Sequence, residues 1–291
     1  MAAFHPGNGQ PRGGCVKNGS IWMAGALLLA ACAGGPAPIS EARIAEILAS
    51  PDRREADRTN DLRRKPAQLL AFIGVRPGMV ALDLSAGGGY TTELLARAVG
   101  PAGRVYGQSR PRDPNSAPPK PAAPEGGAAA APAGGAVPRP AGPPNSPLAL
   151  AERAKNPAAA NIVPVVRRFE DPVPPEVAPG TLDLATLMFN YHDLVWLNVD
   201  RAQMNRAVFA ALRPGGMYVI ADHSGRPGTG DSEAGTLHRI EEAFLRREVE
   251  AAGFRFVAEG GFLRNPNDPR DRNTPVPAQP KDEFVLKFVK P

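Results

Sequence analysis

Apolar positions along the chain fall into short runs separated by glycine, proline and polar turns. Residues 80–84 and 181–189 are nearly all apolar, and 104–108 and 161–169 carry shorter apolar stretches. Runs of this length, rich in valine and leucine and bounded by turns, predict strands, and the most apolar of them predict strands buried on both faces as in a parallel sheet. Three more follow at 217–221, 255–263 and 283–289. Between them the apolar spacing changes to three and four residues. The spacing predicts helices over 68–73 and over 91–99, the latter with Leu94, Leu95 and Ala98 on one face. It predicts another over 199–212, with Met204, Val208 and Leu212 on successive turns, and one over 236–252, with Leu237, Ile240 and Phe244 together. Pro214 and Gly215 stop the third of these. Strands alternating with helices predict an α/β sheet wound on both faces.

The chemistry concentrates at the end of the first run. Asp83 and Leu84 lead into Ser85-Ala86-Gly87-Gly88-Gly89-Tyr90, and a helix starts directly afterwards. A strand, a glycine turn and a helix N-terminus form a cradle for a nucleotide-type cofactor, because a turn without Cβ atoms lets the backbone approach the ligand. The spacing is not the G-x-G-x-x-G of dinucleotide-binding oxidoreductases. It is Asp83-x-Ser85-x-Gly87-x-Gly89, which resembles the D-x-G-x-G-x-G of class I S-adenosylmethionine (SAM) methyltransferases, with Ser85 where the first glycine is usual. Three other stretches resemble turns of that superfamily: Arg76-Pro77-Gly78-Met79, Leu212-Arg213-Pro214-Gly215-Gly216 and Ala252-Gly253-Phe254.

The resemblance implies a Rossmann-like, seven-stranded, mostly parallel sheet with helices on both faces and an antiparallel C-terminal strand. It implies SAM as cofactor, held by Asp83, Ser85, Ala86, Gly87 and Gly89. Gln108 stands where an acid usually holds the ribose hydroxyls. Glu170 or Asp171 is placed to meet the adenine amino group, solvated loop acids being the alternative. Asn190, at the end of the fourth strand, would border the cofactor methyl. Tyr191, His192 and His223 are the catalytic candidates, with His192 and His223 as candidate bases; alternatively His192 and Asp193 cap the next helix. His238 either reaches the pocket or sits in the first turn of its helix. More narrowly, Asn190-Tyr191-His192-Asp193, Asp222-His223-Ser224, Leu237-His238-Arg239-Ile240 and Arg64-Lys65-Pro66, with the terminal Lys287-Phe288-Val289-Lys290-Pro291, resemble a bacterial group of often exported methyltransferases. The implied reaction is methyl transfer to an unidentified, small-molecule acceptor. Since the sulfonium already activates the methyl, positioning comes first and a base is needed only if the acceptor must lose a proton. The competing reading is a lipid-anchored binding protein or pseudoenzyme on the same scaffold.

Outside this domain the chain changes character. Residues 21–31 are an apolar run, shorter than the roughly 20 residues a membrane span needs, and they end Leu29-Ala30-Ala31-Cys32. This resembles a bacterial lipobox, which implies a signal peptide over 1–31 and lipidation at Cys32. Ala33 then favours the outer membrane of the cell envelope. A short N-terminal anchor or a misplaced start, with a cytoplasmic protein, is the alternative. Residues 32–40 read as a tether, 41–65 as an N-terminal helical cap in which Ser40 caps the first helix, and 66–291 as the methyltransferase-like domain. Residues 52–66 are densely charged. They read as a solvated helical face with charge pairs one turn apart, or as a cover over the cofactor pocket in which Arg64 or Lys65 meets an anionic group. Residues 111–147, dominated by proline, alanine and glycine, read as a disordered insertion without chemistry. A net charge of +5 is too small to point to nucleic acid. Of the two cysteines only Cys32 would remain in the mature chain, which excludes a disulfide framework there, and no Cys/His cluster has metal-ligand spacing, so no metal is expected.

Overall fold

Seven strands form one sheet in the order β3-β2-β1-β4-β5-β7-β6. They are β1 (Val80–Leu84), β2 (Arg104–Ser109), β3 (Ile162–Val166), β4 (Leu182–Met188), β5 (Leu212–His223), β6 (Arg255–Glu259) and β7 (Glu283–Val289). The computed structural model describes residues 36–111, 146–275 and 277–291. The proposed signal segment with Cys32, and nearly all of the Pro/Ala-rich insertion, lie outside the described residues. All neighbouring strands from β3 to β5 are parallel, while β7 runs antiparallel to both β5 and β6. The order reverses between β2-β1 and β4-β5, which makes the carboxyl ends of β1 and β4 the switch point where an open α/β sheet binds ligands.

Side chains alternate between the two faces, as the strand period requires. Leu82 and Leu84 of β1, Tyr218 and Ile220 of β5, and Phe284, Leu286 and Phe288 of β7 enter one core. Ala81, Val105, Leu184, Val219 and Val285 enter the other. The first core is covered by α7 (Arg201–Ala211) and α9 (Glu242–Ala251). The second is covered by α1 (Glu41–Ala49), α3 (Pro66–Ile73), α4 (Tyr90–Val99) and α5 (Ser146–Ala154). Each fully buried leucine contributes about 1.5–3 kcal/mol. The Ser40 hydroxyl caps α1 by accepting from the Arg43 N–H at 3.2 Å. Among the described residues no helix is long and apolar enough to cross a membrane.

Several elements depart from the periodicity. The helix expected over 236–252 is broken. A single turn, α8 (Ala234–Leu237), ends at His238 with a left-handed backbone (φ 51°), and α9 starts only at Glu242. Ile240 is used instead as a strand-like partner of Ser224: its N–H donates to the His223 carbonyl and its carbonyl accepts from the Gly225 N–H. Arg239 then lies fully buried and ion-pairs Asp268 at 2.9 Å. The strand expected over 255–263 ends at Glu259 and turns into a short 3-10 segment, and Leu212 leaves its helix to open β5. The strand expected over 161–169 stops at Val166, and the Arg167 N–H donates to the Ser109 carbonyl as the last rung of its ladder with β2.

The reading of residues 52–66 as a solvated face holds for Asp52, Arg54, Glu55 and Lys65, which are exposed, but fails at its centre. In α2 (Glu55–Arg64) Asp57 is buried, and so is Arg53 just before it. Arg53 grips Asp61 with both nitrogens at 2.6 and 2.8 Å, and Tyr90 donates its hydroxyl to the same carboxylate at 2.8 Å. Part of the dense charge of this segment is thus an internal network that ties α2 to the start of α4.

Candidate functional site

A cavity of about 540 Å³ opens at the switch point, within the range of small-molecule sites. Its floor is the end of β1 and the turn after it: Asp83, Ser85, Ala86, Gly87 and Gly88. Met188, Phe189 and Asn190 at the end of β4 form one wall, and Arg54, Asn60 and Arg64 of the α2 region form the roof. A larger cavity of about 680 Å³, beside Arg43, Gly100 and Arg104, lies at the amino ends of the strands. That is the wrong end of an open α/β sheet for its ligand.

The turn is shaped by one unusual residue. Ser85 adopts φ 53°, a left-handed conformation that a side chain disfavours and glycine takes freely. Two bonds hold it there. Its N–H donates to Gln108 Oε1 at 2.9 Å, and its hydroxyl donates to Asn190 Oδ1 at 2.6 Å. The serine therefore bridges the two central strand ends, which a glycine cannot do. Gly87 and Gly89 also have positive φ, and an added Cβ at Gly88 would meet nothing within 4 Å. The turn thus presents open backbone to the cavity.

Asp83 lies at the bottom, 2 % exposed, and accepts hydrogen bonds from Thr92 at 2.6 Å and Thr186 at 2.7 Å. Burial pushes its carboxyl up to about 6, against the opposing pull of the two hydroxyls and the Arg64 charge. Above it the Arg64 guanidinium stacks on the Phe189 ring, 3.8 Å from the centroid. Phe189 itself has φ 59°. The cavity thus offers a carboxylate, a guanidinium and bare amides within one small volume. Lys65, the other cation considered for this role, is exposed and does not line it.

Arg153, which sequence reasoning missed, fixes this arrangement. It is 5 % exposed. Its Nε donates to the Gly88 carbonyl at 2.5 Å, its two terminal nitrogens grip Asp57 at 2.6 and 2.9 Å, and it also pairs with Glu93. Glu93 pairs in turn with Arg97, and Arg97 with Asp52 at 2.8 Å. One side chain from α5 therefore pins the glycine turn, α2 and α4 together. The sequence carried no signal for this, since Arg153 follows the low-complexity segment in an ordinary helical stretch.

Seven of the residues expected at the cofactor or the reaction do not line the cavity: Gly89, which faces Arg153 and Leu150, and Gln108, Glu170, Asp171, Tyr191, His192 and His223. Gln108 is fully buried and spent on the backbone: besides holding the Ser85 N–H, its amide donates to the Arg167 carbonyl at 2.7 Å. It does not line the cavity. Gln108→Glu keeps the acceptor for Ser85 but sets a carboxylate against the Arg167 carbonyl. The expected cost is about 1–3 kcal/mol in urea unfolding, with no gain in cofactor affinity. Glu170 and Asp171 do not line the cavity either; each pairs with an arginine of its own loop, Arg168 and Arg167. Tyr191 is buried in the opposite core, where its hydroxyl donates to Glu248 at 3.0 Å and accepts from Asn205 at 2.9 Å; burial, with the Glu248 charge, drives its pKa upward.

The two histidine candidates are also enclosed. His192 is 2 % exposed. Its Nδ1 sits 2.6 Å from Asp222, and its Nε2 3.2 Å from Asp193. Burial opposes its charge, but the two carboxylates outweigh burial and hold the ring up to about 10, so it is not a free base at neutral pH. Neither His192 nor Asp193 caps α6 (Asp193–Trp196) through a side chain. His223 is 1 % exposed behind Phe189; burial and the charge of Lys281 hold its pKa well below the usual value. Its Nδ1 lies 3.0 Å from Glu283 but out of line for a hydrogen bond. The Asn190 amide does reach the cavity and donates to Asp193 at 2.6 Å.

No family model matches the chain, and no curated protein matches it. Solved structures do. A SAM-dependent methyltransferase from Aquifex aeolicus superposes with a TM-score of 0.53 over 87 % of this chain and all of its own, at 14 % identity. Geranyl diphosphate C-methyltransferase from Streptomyces coelicolor, solved with Mg²⁺, geranyl diphosphate and S-adenosyl-L-homocysteine, gives 0.51 over 88 % of this chain and 90 % of its own, at 14 % identity. A phosphoethanolamine N-methyltransferase from Haemonchus contortus gives 0.50 over 78 % of this chain and 52 % of its own, at 13 % identity. The strand order, the antiparallel β7 and these superpositions agree: the chain has the fold of the class I SAM-dependent methyltransferases.

Proposed function

We propose that this chain binds SAM in the cavity at the ends of β1 and β4 and transfers its methyl group to a small-molecule acceptor. The observation that carries the reading is the cavity's composition. It combines a bare glycine turn, the Asp83 carboxylate and the Arg64 guanidinium at the switch point of this fold. SAM is a sulfonium with an amino-acid end, so it carries both cationic groups and a carboxylate. Asp83 suits the former and Arg64 the latter, while Gly87 and Gly88 leave room for close approach. When bound, SAM supplies an electrophilic methyl carbon. The protein's own residues then position rather than activate: Ser85 and Asn190 fix the two strand ends, Phe189 and Arg64 close the roof, and the enclosed histidines leave proton removal to the acceptor or solvent.

Calorimetric titration of SAM into the full chain tests this. Binding at one site with a dissociation constant in the micromolar range is expected, about −8 kcal/mol, and it should weaken when Arg64 is changed to alanine. A folded protein that takes up no SAM removes the proposal.

A further inference from the structure

Three of the chain's four histidines gather at one place. The His192 ring lies 5.4 Å from that of His223 and 5.5 Å, edge-on, from that of His238. His192 Nε2 is 3.2 Å from Asp193 Oδ1, and His238 Nδ1 is 3.4 Å from the same oxygen. The three potential donor atoms lie within 4.8 Å of one another. In a tetrahedral site with bonds of about 2.0–2.1 Å, neighbouring ligand atoms stand roughly 3.3 Å apart. Both measured separations fit such edges.

Two further features point the same way. The second nitrogen of His192 is held by a carboxylate: Asp222 Oδ1 lies 2.6 Å from Nδ1, and Asp222 Oδ2 accepts the His192 backbone N–H at 2.8 Å. Asp222 is fully buried and also accepts the His223 N–H at 2.7 Å, so its position is fixed. A carboxylate on the far nitrogen is how proteins orient a metal-ligating histidine. His238, in turn, is carried inward by a left-handed backbone that a histidine disfavours. Its side chain is 40 % exposed and provides a route from solvent. Asp193 accepts one bond at each oxygen, from Asn190 at 2.6 Å and from Trp196 at 2.9 Å. Asp193 Oδ1 is also the oxygen nearest both histidine nitrogens.

We propose that His192, Asp193 and His238 bind a divalent transition-metal ion of the zinc class, which releases to solvent the Nε2 proton that His192 otherwise shares with Asp193. Two imidazoles and one carboxylate favour Zn²⁺, Co²⁺ or Fe²⁺ over Mg²⁺ or Ca²⁺, which prefer oxygen shells. Three protein ligands leave a fourth position for water or for an oxygen, nitrogen or sulfur donor of an incoming molecule. Asn190 joins the site to the cavity wall, since it lines the cavity and bonds Asp193. The proposal does not rest on methyl transfer, and metal uptake is read independently of SAM. Linear spacing could not show the site, because 46 positions separate His192 from His238.

The test is titration of Co²⁺ into the chelator-treated full chain, followed by visible absorption. One equivalent is expected to bind with the intense bands of tetrahedral Co²⁺, and Zn²⁺ should bleach them. His238→Gly is the decisive variant, because glycine accepts the left-handed backbone and the fold should be retained, as circular dichroism checks. It is expected to weaken binding by roughly 100-fold or more, and Asp222→Asn by about 10–100-fold. No uptake by the folded chain overturns the proposal, and so does uptake that His238→Gly leaves unchanged.

Discussion

Replacing Arg153 by methionine is expected to destabilise the protein by about 3–5 kcal/mol, because it leaves Asp57 buried without its cation and Glu93 with Arg97 alone. Asp57 and Glu93 are 4 % and 5 % exposed. The guanidinium supplies Asp57 with a two-pronged grip and Glu93 with a direct pair, and it satisfies the Gly88 carbonyl. Methionine fills most of the volume, so the loss measures charge and hydrogen bonds rather than a cavity. Lysine keeps the charge but cannot reach three partners in one plane; Arg153→Lys should fall between wild type and Arg153→Met. Urea unfolding gives the order. A methionine variant within about 1 kcal/mol of wild type would mean that water solvates the network. Because the same side chain holds the glycine turn against α2, SAM binding is expected to weaken in the lysine variant even where its fold is intact.

The sheet was legible because its strands are either continuously apolar or bounded by glycine and proline. Residues 214–216, expected as a turn before the strand, lie within β5 where its register with β4 shifts, whereas the run at 181–189 depends on local sequence alone. The glycine turn was legible for the same reason, and Ser85 marked its one irregularity. What escaped was everything settled at long range. Whether Gln108 faces a ligand or a backbone amide depends on where Ser85 N–H and Arg167 carbonyl lie, 23 and 59 positions away. The charged segment before Pro66 has helical charge spacing on either reading, and only α5 and α4 packed against it make Asp57 an internal anion. The helix expected over 236–252 has a regular apolar face, yet Ile240 bonds to the backbone of β5 and breaks it. Tyr191 and His192 are adjacent in a motif but lie 0 % and 2 % exposed in different surroundings, one against Glu248 and one between Asp222 and Asp193.

Asp83→Asn is expected to stabilise the fold while lowering SAM affinity about 30-fold or more, roughly 2 kcal/mol. The carboxyl is pushed from 3.8 up to about 6 chiefly by burial, and it remains mostly ionised at pH 7. Its charge is thus kept at a cost. Because the folded value lies above the unfolded one, the folded state binds more protons between about pH 4 and 6. The stability associated with Asp83 is complete below pH 4 and lost as pH rises through 6, a change of about 3 kcal/mol. Asp83→Asn removes that loss at neutral pH. The gain is smaller than the full figure, because the new amide group must reverse one of the bonds from Thr92 or Thr186. Affinity follows the opposite trend. If the carboxylate faces the cationic end of SAM, wild-type binding should be constant above pH 7 and fall up to tenfold per pH unit below about 6, whereas binding by the Asp83→Asn variant is weak and flat. Urea unfolding and calorimetry on both proteins from pH 4.5 to about 8 separate the two curves. A pH-independent wild-type affinity would remove Asp83 from the cofactor contact and leave it a structural acid bound to two threonines. Opposite slopes from one carboxyl would instead identify the desolvated charge as stability given up for binding.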